Sequence, residues 1–138
     1  MVRQPKKILI ADDEVNIRLL VSSMLEGDYI VLGASDGEEA INMARCQSPD
    51  LILMDIMMPK LDGYSACHAI KNDRLTNKIP VVMVTALGPE LNRKFAERVG
   101  ADAYLVKPFS LESLRGTVAR LLESNPEITT SGGVAEPS

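Results

Sequence analysis

Three aspartates, a threonine and a lysine each stand at or directly after the end of a short apolar run. Asp12 and Asp13 follow ILIA, Asp55 closes LILMD, Thr85 closes VVMVT, and Lys107 follows AYLV. Adjacent carboxylates at the mouth of a core repel one another and cost stability unless something compensates their charge. A divalent cation does this well. Mg2+ takes oxygen ligands, keeps several waters and needs only one or two carboxylates besides substrate phosphate. The chemistry this suggests is phosphoryl transfer, in which oxygens must be neutralised and a nucleophile aligned. Each residue type then has a task. Asp13 and Asp55 suit direct ligation, Asp12 ligation through water, and the backbone carbonyl of Met57 the remaining protein ligand. Asp55 suits the nucleophile, because carboxylates form covalent intermediates. Lys107 and the Thr85 hydroxyl suit phosphoryl oxygens. Mn2+ fits the same oxygen donors as a substitute ion.

Taken singly, each residue has a plainer reading. An Asp after a strand turns or caps, and Thr85 is an ordinary β-branched strand residue. Tyr104 alone is a packing residue. Glu14 starts a helix, where negative charge suits the dipole. The joint set carries the chemistry.

The elements that must position this set show two alternating periodicities. Ile8–Ala11, Tyr29–Ala34, Leu51–Asp55, Val81–Thr85 and Ala103–Val106 are nearly continuous apolar runs, as expected of strands buried on both faces. The segments between them read as helices. Ile17, Leu20, Val21, Met24 and Leu25 form an amphipathic stripe. Asp36 and Glu39 have capping-box spacing before Ala40, Ile41 and Ala44. Asp62–Asn72 forms a third helix with Cys67 and Ile70 inward. Pro89–Gly100 forms a fourth, with Pro at its start and Gly at its end. Ser110 caps a fifth, whose stripe is Leu111, Leu114, Val118, Leu121 and Leu122. Five βα units predict a three-layer, doubly wound α/β fold of flavodoxin-like type, with a parallel sheet in the order 2-1-3-4-5. In such a sheet all strand C-termini open on one edge, and ligands bind where the strand order reverses, here between the first and third strands.

A chain of 138 residues fits one domain. The expected division is an N-terminal extension over 1–6, a folded domain over 7–124 and a flexible tail over 125–138, the last being rich in Ser, Thr, Gly and Pro. A net charge of −4 argues against direct nucleic-acid binding as the main task. No signal peptide precedes the first strand, and no apolar run approaches the roughly 20 residues of a membrane helix, so a cytoplasmic protein is expected. Cys46 and Cys67 form no metal-binding pair and are expected to pack as small apolar groups. His68 should be exposed on the third helix, and Lys71–Lys78 should be a solvated loop.

The pieces ADDE, LILMDIMMPKLDG, VVMVTA and AYLVKPF, in this order on a βα scaffold, resemble the receiver domain of two-component response regulators, the CheY-like superfamily. The resemblance spans about Lys7 to Glu123. It implies a phosphorylation-driven signalling switch rather than a metabolic enzyme. Asp55 would accept a phosphoryl group from a sensor histidine kinase, a phosphotransfer protein or a small phosphodonor, with Mg2+ held by Asp12, Asp13 and Asp55. Thr85 would move toward the phosphate and Tyr104 would turn inward behind it. The Lys107–Pro108 bond would be cis. Met57 and Leu87 would flank the acyl phosphate, with Ala86 and Pro108 beside the site; because Met57 and Leu87 are apolar, slow intrinsic dephosphorylation is expected. The output face would comprise the fourth helix, fifth strand and fifth helix, serving a downstream protein or domain or a homodimer.

Three rivals remain at this level. A flavin module on the same topology would need a Ser/Thr/Gly-rich loop where ADDE stands. An aspartyl-phosphate hydrolase would turn over small phosphate esters repeatedly. A docking-only relative would ignore phosphodonors.

Overall fold

The computed structural model describes residues 4–86, 94 and 97–123. In chain order the elements are β1 (Lys6–Ala11), α1 (Val15–Leu25), β2 (Tyr29–Ala34), α2 (Gly37–Gln47), β3 (Leu51–Asp55), α3 (Gly63–Lys71), β4 (Val81–Thr85), β5 (Ala103–Val106) and a C-terminal helix (Leu111–Glu123). The strands form one parallel sheet ordered β2-β1-β3-β4-β5, as the βα alternation predicts. Most of the expected fourth helix, Leu87 and the expected tail lie outside the described residues. β1 starts at Lys6, inside the stretch read as an extension. Lys6 and Lys7 pair with Tyr29 and Ile30 through backbone register, which side-chain polarity does not reveal.

Strand alternation splits the core in two. One cluster holds Leu9, Ala11, Ile52, Met54, Val81 and Met83 under Ala40 and Ala44 of α2 and Ala66, Cys67 and Ile70 of α3. The other holds Ile8, Ile10, Leu51, Leu53, Val82, Val84 and Leu105 under Val21 and Leu25 of α1 and Leu114, Val118 and Leu122 of the C-terminal helix. All five residues of β3 and of β4 are buried, which explains their unbroken apolar runs. Each fully buried Leu or Ile contributes ~1.5–3 kcal/mol relative to an exposed one. Among the described residues no helix is long and apolar enough to cross a membrane.

The helix signals hold at their starts. Asp36 accepts from Glu39 N at 2.8 Å, and Glu39 answers to Ser35 N at 2.7 Å, one residue before the cap. Ser110 Oγ accepts from Ser113 N at 3.0 Å.

The expected stripes are wider than the buried faces. Leu20 and Leu111 are 45% and 48% exposed. Leu20 lies about 100° round the helix from the buried Val21, and Leu111 occupies the first turn, beyond the cluster. Cys67 is buried as expected, but Cys46 is exposed, because α2 turns Ala40 and Ala44 inward and Cys46 two residues beyond. His68 is exposed.

The Lys71–Lys78 segment is not simply solvated. Thr76 is buried and donates to Ile70 O at 2.7 Å, Lys71 Nζ reaches Ile79 O and Asp102, and Asp73 pairs with Arg45.

Candidate functional site

β1 and β3 are neighbours in the sheet, while the chain leaves them toward opposite faces. Their C-terminal ends therefore lie side by side with no helix crossing the crevice between them among the described residues, the usual ligand position in this topology. Asp12 follows Ala11 and Asp55 closes β3, so both sit on this edge. Register places Thr85 opposite Val106, and Lys107 N donates to Thr85 O at 2.7 Å, which brings Lys107 to the same edge. The Lys107–Pro108 bond is cis.

Asp12, Asp13 and Asp55 each offer a carboxylate oxygen within 4.8 Å of the others. Asp12 and Asp55 are buried, and Asp13 is exposed. Lys107 Nζ bridges the two buried carboxylates, at 3.3 Å from Asp12 Oδ2 and 3.2 Å from Asp55 Oδ1. Asp12 Oδ1 accepts from Glu14 N at 2.9 Å. Both oxygens of Asp12 are thus engaged, whereas the Asp13 carboxylate has no partner among the described residues.

One ammonium facing three carboxylates leaves a formal excess of two negative charges, the charge of one divalent cation. The Asp55 carboxyl registers this imbalance. Burial, then the neighbouring Asp12, raise it from 3.8 to about 6, and Lys107 only partly opposes them. Burial by itself would lower the Lys107 ammonium, but Asp55 and Asp12 outweigh it and the net shift is upward.

The donor set fits Mg2+, with oxygens alone, closely grouped and excess negative charge. Neighbouring oxygens in a Mg2+ octahedron are about 3 Å apart, as bonds of ~2.1 Å require. Asp12, with a partner on each oxygen, suits a contact through water, while both oxygens of Asp13 and the Asp55 Oδ2 have no partner among the described residues.

Gly63 holds the loop after Asp55 against β3. Its N–H donates to Ile56 O at 2.7 Å, and a Cβ there would overlap the Asp55 carbonyl oxygen. Across the loop Gly37 packs as closely on Leu61 O, and Lys60 pairs with Asp36 at 3.7 Å. Met57 is 72% exposed at the site's rim. Ala86 is exposed and follows the buried Thr85. Tyr104 lies partly buried against the α2/α3 core cluster, on the same sheet face as Thr85 by register. Leu87 lies outside the described residues.

Sequence reasoning missed Arg18. Its Nη1 donates to Asp12 O at 2.7 Å. The only sequence signal for it is a glycine in β2, Gly33, whose meaning emerges once the sheet is built.

Comparison with known proteins agrees with this geometry. The family model described as response regulator receiver domain matches residues 8–119. The chain is 42% identical over 135 residues to a probable transcriptional regulator, ycf27, of Pyropia yezoensis, covering 97% of this chain and 54% of the relative. It is 42% identical over 118 residues to the alkaline phosphatase synthesis transcriptional regulatory protein PhoP of Bacillus subtilis (strain 168), covering 85% and 48%. The chain thus spans about half the length of these curated relatives. Among solved structures, the chemotaxis response regulator CheY4 of Vibrio cholerae superposes with TM-score 0.80 at 33% identity, covering 86% of this chain and 99% of that one. The receiver domain of sensor histidine kinase PA1611 from Pseudomonas aeruginosa PAO1, solved with a magnesium ion coordinated in its active site cleft, gives TM-score 0.81 at 31% identity, covering 88% and 100%. With the motif set, the sheet order and the acidic edge all in agreement, the chain belongs to the receiver domain family of two-component response regulators.

Proposed function

We propose that Asp55 is the phosphoacceptor of a Mg2+-dependent switch. The observation that carries this reading is the bridging of Asp12 and Asp55 by Lys107 within a three-carboxylate cluster at the β1/β3 edge. An Asp55 oxygen attacks the phosphorus of a phosphohistidine on a sensor histidine kinase or phosphotransfer protein. The P–N bond breaks, a P–O bond forms, and the leaving imidazole takes up a proton. A small acyl phosphate serves equally as donor. Asp13, Asp55 and the Met57 carbonyl would hold the Mg2+, with Asp12 acting through water; when bound, the ion neutralises phosphoryl oxygens. Lys107, freed from part of its carboxylate pairing, contacts a phosphoryl oxygen, and the Thr85 hydroxyl takes another.

The new dianionic group biases a two-state element, with Thr85 drawn toward it and Tyr104 turning inward on the same sheet face. The output surface comprises β5, the C-terminal helix and the expected fourth helix, most of which lies outside the described residues, and there a downstream partner, an appended output domain or a second copy docks. The folded unit runs from Lys6, where β1 starts, through Glu123, the last described residue; the expected tail lies outside the described residues. Asp55 is at once the substrate and part of the catalytic site, so one phosphoryl group per chain is the expected end point.

The test is beryllofluoride, a phosphoryl mimic. It should produce Mg2+-dependent chemical-shift changes at Thr85 and Tyr104 that Asp55→Asn abolishes. No response in the native chain would favour a docking-only role.

A further inference from the structure

Gly33 stands inside β2, where glycine weakens a strand relative to alanine. Its backbone needs no special freedom, since it is not among the residues with positive φ. What it provides is room. A Cβ at Gly33 would lie 3.3 Å from Arg18 Cδ, tighter than most such contacts, and 3.5 Å from Nε, an ordinary contact. The Arg18 stem therefore passes over the Gly33 backbone on its way from α1 to the end of β1. There its guanidinium donates to the Asp12 carbonyl at 2.7 Å.

That carbonyl belongs to the peptide joining Asp12 to Asp13. On the other side of the residue, Asp12 N donates to Ala34 O at 2.9 Å, the last rung joining β1 to β2. Asp12 is further fixed by Glu14 N and Lys107. Asp13 has none of these constraints. Its carboxylate is exposed and unpartnered among the described residues, so its aim depends on the peptide plane that precedes it.

Resting on the metal-site reading above, we propose that Arg18 is a positioning residue for Asp13. It holds the Asp12–Asp13 peptide through a charge-assisted bond to its oxygen, and Gly33 lacks a side chain so that Arg18 can reach it. The two cations at this edge divide the work. Lys107 pairs with the carboxylates themselves. Arg18 bonds a peptide oxygen, so it orders the loop while leaving the Asp13 carboxylate free for a cation. Groups that orient metal ligands from behind typically alter affinity by 10–100-fold when removed.

The test is Mg2+ titration of the metal-free full chain by calorimetry, with melting in EDTA measured alongside. Arg18→Met should weaken Mg2+ binding about tenfold or more, and Arg18→Lys, which still offers a cationic donor, should recover part of the loss. Gly33→Ala should also weaken Mg2+ binding in the native background, by crowding the Arg18 stem. In the Arg18→Met background, where that stem is gone, Gly33→Ala should cost nothing more. Unchanged Mg2+ affinity in Arg18→Met, with or without a lower melting temperature, would overturn the proposal. Equal Gly33→Ala penalties in both backgrounds would overturn it as well. A native chain that bound no Mg2+ would fail at the earlier step, removing the metal site itself.

Discussion

Replacing Asp55 by Asn should make the metal-free protein more stable at neutral pH. The Asp55 carboxyl is raised from 3.8 to about 6 by burial and by Asp12. A raised carboxylate binds its proton more tightly in the folded chain than in the unfolded one. Stability therefore falls as pH rises from about 4 to about 6 and stays reduced above that window. A shift of about two units corresponds to about 3 kcal/mol at pH 7.5, and about 1 kcal/mol remains at pH 4.5. Asparagine keeps the shape, carries no charge and leaves Lys107 its pairing with Asp12. Solvent on the open Asp13 side trims the gain, so about 2 kcal/mol is expected, a rise of roughly 5–10 °C in Tm for a chain of this size. The assay is thermal melting in EDTA at pH 7.5 and pH 4.5. The Asp55→Asn advantage should be clear at pH 7.5 and shrink at pH 4.5. A variant less stable than the native chain at pH 7.5, or an advantage independent of pH, would refute the electrostatic account of the site.

Asp13→Asn should lower Mg2+ affinity by about tenfold or more, while metal-free Tm stays level or rises; titration and melting of one preparation check both, and a normal affinity would remove Asp13 from the ligand set. Gly63→Ala should cost more than about 2 kcal/mol in denaturant unfolding, because its Cβ would overlap the Asp55 carbonyl. Near-native unfolding would show that the loop after β3 yields readily. The phosphorylated chain should lose its phosphoryl group slowly, since the side chains of Met57 and Leu87 are apolar and cannot orient water by hydrogen bonding; loss within seconds, followed by mass spectrometry, would contradict this.

Strand limits were legible from apolar runs bounded by polar or turn residues, in the partly exposed β2 and β5 as well as in the buried β3 and β4. β3 and β4 are covered on both sides, so each is apolar up to its closing Asp55 or Thr85, and their limits could be read directly. β1 began at Lys6 because edge lysines enter a ladder through backbone groups that any residue supplies. The α1 stripe included Leu20 because helical spacing shows which residues share a side, not how far the sheet reaches around it. The site residues stood out because each ends a buried run with a group that no core requires. Contacts between distant segments left no such trace. Arg18 reads as an ordinary surface residue of a helix until β2 is laid beside it and Gly33 is seen to make space. Asp50 and Asp102 belong to no motif, yet they accept from Lys7 N and Val81 N at 2.8 Å and so tie strand entries at the opposite end of the sheet.

The most direct test of phosphoacceptance is intact-mass measurement after incubation with acetyl phosphate. The native chain with Mg2+ should gain the mass of one phosphoryl group, placed on Asp55 by fragmentation, and neither EDTA-treated native chain nor Asp55→Asn should gain it. Phosphoryl uptake that survives EDTA or Asp55→Asn, or none at all with Mg2+ present, would contradict the assignment of Asp55 as the phosphoacceptor.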